Sequence, residues 1–119
     1  MDQNTNSKKF DLEERTFDFA KRVRDFTKKI PSSISNYEYM RQIIRSSGSV
    51  AANYIEANES LSRKDYILRV KICRKETKET RLWLKLIEEK SEDSLEKEAL
   101  IDEAGQLMRI FGTIIEKSK

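Results

Sequence analysis

Two carboxylates, Glu76 and Glu79, stand three residues apart in the stretch DYILRVKICRKETKETRLWLKLIEEK. On a helix that spacing puts both on one side, beside Ile72 and Trp83. Paired carboxylates on a bundle helix can ligate a metal or carry acid–base chemistry. The di-metal bundles repeat a Glu-x-x-His pair, however, and this chain has no His, which argues against both roles. The same absence removes Ser–His and Cys–His nucleophile pairs. The chain is therefore read as non-enzymatic, with no metal and no cofactor. Glu76 and Glu79 fit better as partners of an arginine. Arg45, just ahead of the small-residue stretch SSGSVAA, can offer its guanidinium bidentately. Asn53 and Glu56 lie on the same helix as Arg45, and either face solvent or join a polar network at an assembly surface. The single Cys73 falls on a helix–helix seam and is read as a small buried hydrophobe rather than a reactive thiol.

The second pattern able to do chemistry is cationic. Lys64, Lys71, Arg74, Lys75, Lys78, Arg81 and Lys85 form one line with no acidic residue among them. A row of like charge repels itself and gains from opposing phosphates through counterion release. It serves either as a solubilising face or as a nucleic-acid contact. No helix-turn-helix, zinc finger, RNP motif or Gly-rich phosphate loop is present, so binding would follow shape and charge rather than sequence.

These residues need long helices to position them. Residues 64–90 carry two apolar stripes. Tyr66, Val70, Cys73, Thr77, Thr80, Leu84 and Ile87 recur at four–three spacing, a helix–helix seam. Leu68, Ile72, Leu82, Trp83 and Leu86 fall roughly opposite. One bundle needs one buried face per helix, so the second stripe is expected to be an oligomer interface. Upstream, Asp11 and Glu14 resemble a helix start. Leu12, Thr16, Phe19, Val23, Phe26 and Ile30 follow in register, with Phe17 and Ala20 widening the face, up to Pro31. A second helix is expected from Ser35 or Asn36, with Met40, Ile44, Ser47, Ala51, Tyr54 and Asn58 inward and Ile43 and Val50 alongside. Its small residues predict a tight crossing at which the volume of Gly48 matters, the alternative being a break there. Ser62 should cap a third helix running to about Lys90. Ser91 or Ser94 should cap a fourth, with Leu100, Ala104, Leu107, Phe111 and Ile114 on its core face.

The fold class expected is all-α, an antiparallel up-down-up-down four-helix bundle over residues 11–119 behind a disordered tail at 1–10, assembled as a homo-oligomer. At 119 residues with 38% charged residues, one Pro and three Gly, the composition suits one domain of amphipathic helices. No apolar run approaches the roughly 20 residues that span a bilayer. The start, MDQNTNSKKF, lacks an apolar signal core, so a cytoplasmic protein is expected. Net charge is +3, but residues 21–90 hold 17 Lys and Arg against 9 Asp and Glu, whereas residues 91–119 hold 4 against 7. The middle helices are basic and the last is acidic, which can serve an anionic partner or a neighbouring subunit.

Four segments, TFDFAKRV (16–23), RSSGSVAANYIEA (45–57), SRKDY (62–66) and KETKETRLWLKLI (75–87), resemble the "four helix bundle protein" family. Its first members are encoded in intervening sequences of bacterial 23S ribosomal RNA genes, and it is related to the accessory variability protein of diversity-generating retroelements. The resemblance runs from about Asp11 to Lys117. Family members usually carry Ile where Tyr54 stands and Ala where Cys73 stands, both conservative for packing. The resemblance implies an up-down bundle assembled as a homopentamer, with no established enzymatic activity. From the retroelement relatives it implies a basic pentamer that contacts nucleic acid, RNA or DNA, and a reverse transcriptase. By that analogy Arg41, Arg45, Lys71, Arg74, Lys78 and Arg81 are the nucleic-acid-binding candidates.

Overall fold

A computed structural model describes residues 3–119, with side chains described from Leu12 onward. The chain runs α1 (Gln3–Thr27), α2 (Ile34–Asn58), α3 (Arg63–Leu86), one 3-10 turn (Ser91–Asp93) and α4 (Ser94–Lys117). No strand occurs among the described residues. Residues 1–2 lie outside them, and the expected boundary between tail and bundle at residue 10 falls where side chains are not described. The first helix is helical from Gln3, so Asp11 lies within it rather than at its start.

The seams of α1 and α3 follow the expected spacing. Leu12, Thr16, Phe19, Val23, Phe26 and Ile30 are buried, as are Val70, Cys73, Thr77, Thr80, Leu84 and Ile87. Phe17 does not widen the α1 face; it stays 59% exposed with the Lys21 ammonium 6.0 Å from its ring centroid. In α2 the buried line is Asn36, Ile43, Ser46, Ser47, Val50, Tyr54 and Ala57. Ile44 is 49% exposed, so the expected line through 44, 51 and 58 is replaced by 43, 50 and 57. A helix between two neighbours must bury a stripe centred between them, and that stripe is one position back from the assumed one. On α4, Ile115 rather than Ile114 completes the buried line of Leu100, Ala104, Leu107 and Phe111.

Small hydroxyl residues let α2 and α3 approach closely. Ser46 Oγ and Thr80 Oγ1 share a buried hydrogen bond of 2.6 Å, and Thr80 Oγ1 also donates to Glu76 O at 2.8 Å. The helix continues through Gly48, which is exposed with open space where a Cβ would stand. The crossing therefore uses the serines, and the volume of Gly48 is not what permits it.

Ser33 and Ser62 cap α2 and α3, accepting from Asn36 N and Asp65 N at 3.0 and 3.1 Å. The third helix stops at Leu86, short of Lys90, because Asn36 holds the chain that follows. Its buried amide donates to Pro31 O (3.0 Å) and Glu88 O (2.9 Å) and accepts from Glu88 N (2.9 Å). Ile87 turns extended, with ψ 145°, to meet it.

The helices pack as neighbours: α2 most extensively on α3, then α3 on α4 and α1 on α2, with α1 meeting α4 least. Tyr39 stacks on Trp83 near one end of α2, and Arg69 reaches Asn53 near the other, so α2 and α3 are antiparallel. Where apolar contact is thinnest, Arg15 of α1 grips Glu103 of α4 with Nε–Oε2 2.7 Å and Nη2–Oε1 3.0 Å. The result is a helical bundle of 44 × 30 × 20 Å. No helix among the described residues is long and apolar enough to cross a membrane.

Candidate nucleic-acid interface

Arg74 and Arg81 are seven residues apart, two turns, and share one line of α3. That line faces α4. A Cβ placed on Gly112 would lie 3.8 Å from Arg74 Cζ and Nε, and one on Gly105 would lie 3.7 Å from Arg109 Nη1. Arg74, Arg81, Arg109, Gly105 and Gly112 line an open groove of about 610 Å³ between the two helices. Lys71, Arg74 and Lys78 are exposed along its α3 side, and Arg81 is half-buried. Among the described residues, none of Lys71, Arg74, Lys78, Arg81 and Arg109 has a carboxylate within ion-pair distance, whereas Arg15, Arg22, Arg24, Arg41 and Arg45 each do. Arg81 Nε is buried without a hydrogen-bond acceptor. Glu116, at the end of the groove, is engaged by Lys119 Nζ at 3.0 Å. The edge of α3 that meets α4 is thus cationic and uncompensated among the described residues of the chain.

Arg41 and Arg45 stand apart from this edge. Arg45 Nη2 lies 3.3 Å from Glu79 Oε1 and 3.5 Å from Glu76 Oε1, the partnership that the sequence spacing suggested. Glu76 is 8% exposed, so the guanidinium supplies the charge that a buried carboxylate requires. Arg41 Nη1 reaches Glu38 at 4.0 Å. Asn53 bonds to Ser49, with Nδ2 to O at 2.9 Å and to Oγ at 3.0 Å, and accepts from Arg69 Nη1 at 3.0 Å. The carboxylate of Glu56 is exposed and joins neither group. The expected polar network therefore divides into an Arg45–Glu76–Glu79 cluster and an Asn53–Arg69 pair, with Arg69 as a member that the spacing did not point to.

The second apolar stripe also divides. Leu68, Leu82 and Leu86 are 55%, 49% and 44% exposed. Ile72 and Trp83 are half-buried, and Trp83 stacks on Tyr39 with centroids 6.0 Å apart and planes 25° apart. Part of the stripe is thus covered by α2, leaving the leucines bare. Cys73 is buried, and burial pushes its thiol up to about 12; Sγ–H points to Val50 O at 3.5 Å. No group of three or more His, Cys, Asp or Glu among the described residues is arranged to hold a metal ion.

Arg109 and the two glycines were not singled out by sequence reasoning. The acidic total of the last helix hid a single arginine. The available signal was the spacing of Gly105 and Gly112 by seven residues, two turns on one side, with Arg109 between them.

The family model described as 23S rRNA-intervening sequence protein matches residues 8–112. Among solved structures, the chain is similar to the crystal structure of a protein with unknown function from the S23 ribosomal protein family of Bacteroides thetaiotaomicron. The two share 26% identity and a TM-score of 0.73, over 87% of this chain and 97% of that one. No curated protein matches this chain.

Proposed function

The chain belongs to the 23S rRNA-intervening sequence protein family, and from that premise we propose that it is a non-enzymatic, homo-oligomeric module that binds RNA or DNA without sequence readout. The observation that carries this reading is the α3 edge, where Lys71, Arg74, Lys78 and Arg81 have no carboxylate partner among the described residues. Unpaired cations in a row repel one another, and that repulsion is relieved when phosphates replace their counterions. Several copies on one symmetric body act multivalently, with avidity adding a factor of roughly 100 or more. A homopentamer, which the family resemblance implies, is the assembly proposed.

The test is electrophoretic or anisotropy titration of ribosomal RNA and duplex DNA at about 50 mM and 200 mM salt, where phosphate contacts weaken steeply. The triple change Lys71→Glu, Arg74→Glu, Lys78→Glu should abolish binding and leave the helical circular dichroism intact. Absence of any shift by the wild-type assembly at the lower salt removes the reading.

A second reading is favoured by one specific feature. Glu14, Asp18, Asp25 and Glu103 line the groove on the α1–α4 side together with Arg15, Lys21 and Arg22. A neighbouring subunit could present the exposed Glu14 and Asp18 of that mixed-charge surface to the α3 edge, making the protein a purely structural or protein-interaction oligomer. Its expected mark is an assembly that falls apart with salt and ignores nucleic acid.

A further inference from the structure

The α3–α4 groove is shaped by residues whose presence the bundle itself does not explain. Gly105 and Gly112 lie inside α4 with no positive φ, so neither is required by backbone geometry. A Cβ at either site would meet only an arginine side chain, at 3.7 Å or more, which is ordinary contact. Glycine is also a poor residue for a helix interior. What the two glycines do is keep side-chain bulk out of the groove, so that the guanidiniums of Arg74 and Arg109 lie over bare backbone. Arg81, on the facing helix, has a buried Nε with no acceptor. That Nε is closed off from a ligand, so the fork Arg81 can offer an oxyanion is its terminal Nη1–Nη2 pair.

We propose that one phosphodiester strand of a nucleic acid lies along the α3–α4 groove, its phosphate oxygens taken by Arg81 and by the Arg74 and Arg109 guanidiniums that rest on Gly112 and Gly105. This rests on the nucleic-acid reading above and gives it a location. The two glycines are seven residues apart, roughly 10 Å along α4, longer than a single phosphate and suited to a chain of them. Both walls carry guanidiniums, Arg74 and Arg81 on α3 and Arg109 on α4, which a lone carboxylate on a protein partner would satisfy at one point only. Lys71 and Lys78, exposed on α3, are placed to follow the strand beyond the groove.

The test separates the groove from the general charge of the helix. Gly105→Leu and Gly112→Leu leave the net charge unchanged, favour the helix and fill the groove. Binding is measured by anisotropy with a labelled 12-nucleotide single-stranded RNA and the matching duplex at about 50 mM salt, with light scattering confirming the wild-type assembly. Gly112→Leu should weaken binding at least tenfold and lower the log–log salt slope by about 1 to 2, because one or two phosphates are no longer neutralised. Arg81→Lys, which keeps the charge and removes the fork, should weaken binding at least threefold. Wild-type affinity in both Gly112→Leu and Arg81→Lys overturns the groove; if Lys71→Glu with Lys78→Glu still abolishes binding, the nucleic-acid reading survives with its contact on the outer ridge. A wild-type protein that binds neither probe sinks both.

Discussion

Arg45 and Glu76 show how one exposed residue can hold a buried one. The Glu76 side chain retains 10% of its exposure, against 53% for Arg45. Removing the arginine leaves a carboxylate short of water and of its cation. Arg45→Ala should therefore cost about 1–3 kcal/mol in urea unfolding, the range for leaving a buried hydrogen-bonding group without its partner. Glu76→Gln added to Arg45→Ala should recover part of that loss; a double variant no more stable than Arg45→Ala would show that Glu76 never depended on it. Cys73 yields a pH prediction. Its thiol ionises at about 12 when folded against an ordinary 9.0, because burial disfavours the thiolate. Tyr54 is likewise raised from 10.0 to about 12, burial being the largest cause. A raised folded value means that the unfolded chain loses the proton first. Stability contributed by the neutral groups is complete below pH 9 and falls as pH rises from 9 toward 12. Cys73→Ala should make chemical unfolding less pH-dependent over that window, and an unchanged slope would contradict the assignment. Alkylation of Cys73 should be slow in the folded protein at pH 8 and fast in denaturant.

At the scale of elements, what was legible and what was not divides by mechanism. The seams of α1 and α3 were readable because each has one run of large apolar residues at four–three spacing and nothing nearby to compete with it. The second helix was not, because Ile43 and Ile44 are adjacent and both fit a stripe; only the neighbours α1 and α3 decide which turns inward. The early end of α3 was illegible for a different reason. Nothing local to residues 87–90 stops the helix, and the cause is Asn36, some fifty positions away. Its side chain makes three hydrogen bonds that tie Pro31 and Glu88 together at one end of the bundle. Asn36→Ala should leave the Glu88 amide unpaired and cost about 2–4 kcal/mol, as buried amides lose several partners at once. Hydrogen exchange checks this directly: the Glu88 amide, protected in the wild type, should exchange faster in Asn36→Ala, while the Val70 amide slows or quickens only with global stability. Equal exchange at Glu88 in the two proteins would mean that the clamp is not formed. The candidate site was legible as a line of cations on α3 and illegible as a groove, because its other wall is two glycines and an arginine on a helix that reads as acidic.

At the scale of the whole molecule, an apolar surface and a cationic one have no intramolecular counterpart among the described residues. Leu68, Leu82 and Leu86 are about half-exposed on α3, and Ile44 and Ile55, 49% and 52% exposed, add to the apolar surface of α2. Fully covering a leucine is worth about 1.5–3 kcal/mol, so half-exposed side chains in such number can offset part of the entropy lost when copies associate. The cationic edge opposes assembly unless each copy turns that edge away from its neighbours or toward exposed carboxylates such as Glu14 and Asp18 of a neighbour. Both demands are met when the leucines are buried between subunits and the α3–α4 groove is left at the outside. Light scattering should therefore report a mass several times the 14.0 kDa of the chain. Leu82→Asp with Leu86→Asp should reduce it to the monomer while circular dichroism stays helical, because neither residue belongs to the buried core. Trp83→Ala is the instructive contrast. Its ring already packs on Tyr39 within the chain, so truncation should lower the stability of the fold as well as any association, whereas the aspartates should affect association alone. A wild-type protein that remains a 14.0 kDa species at tens of micromolar would show that the exposed leucines are not a subunit contact, and the multivalent basis for nucleic-acid binding would go with them.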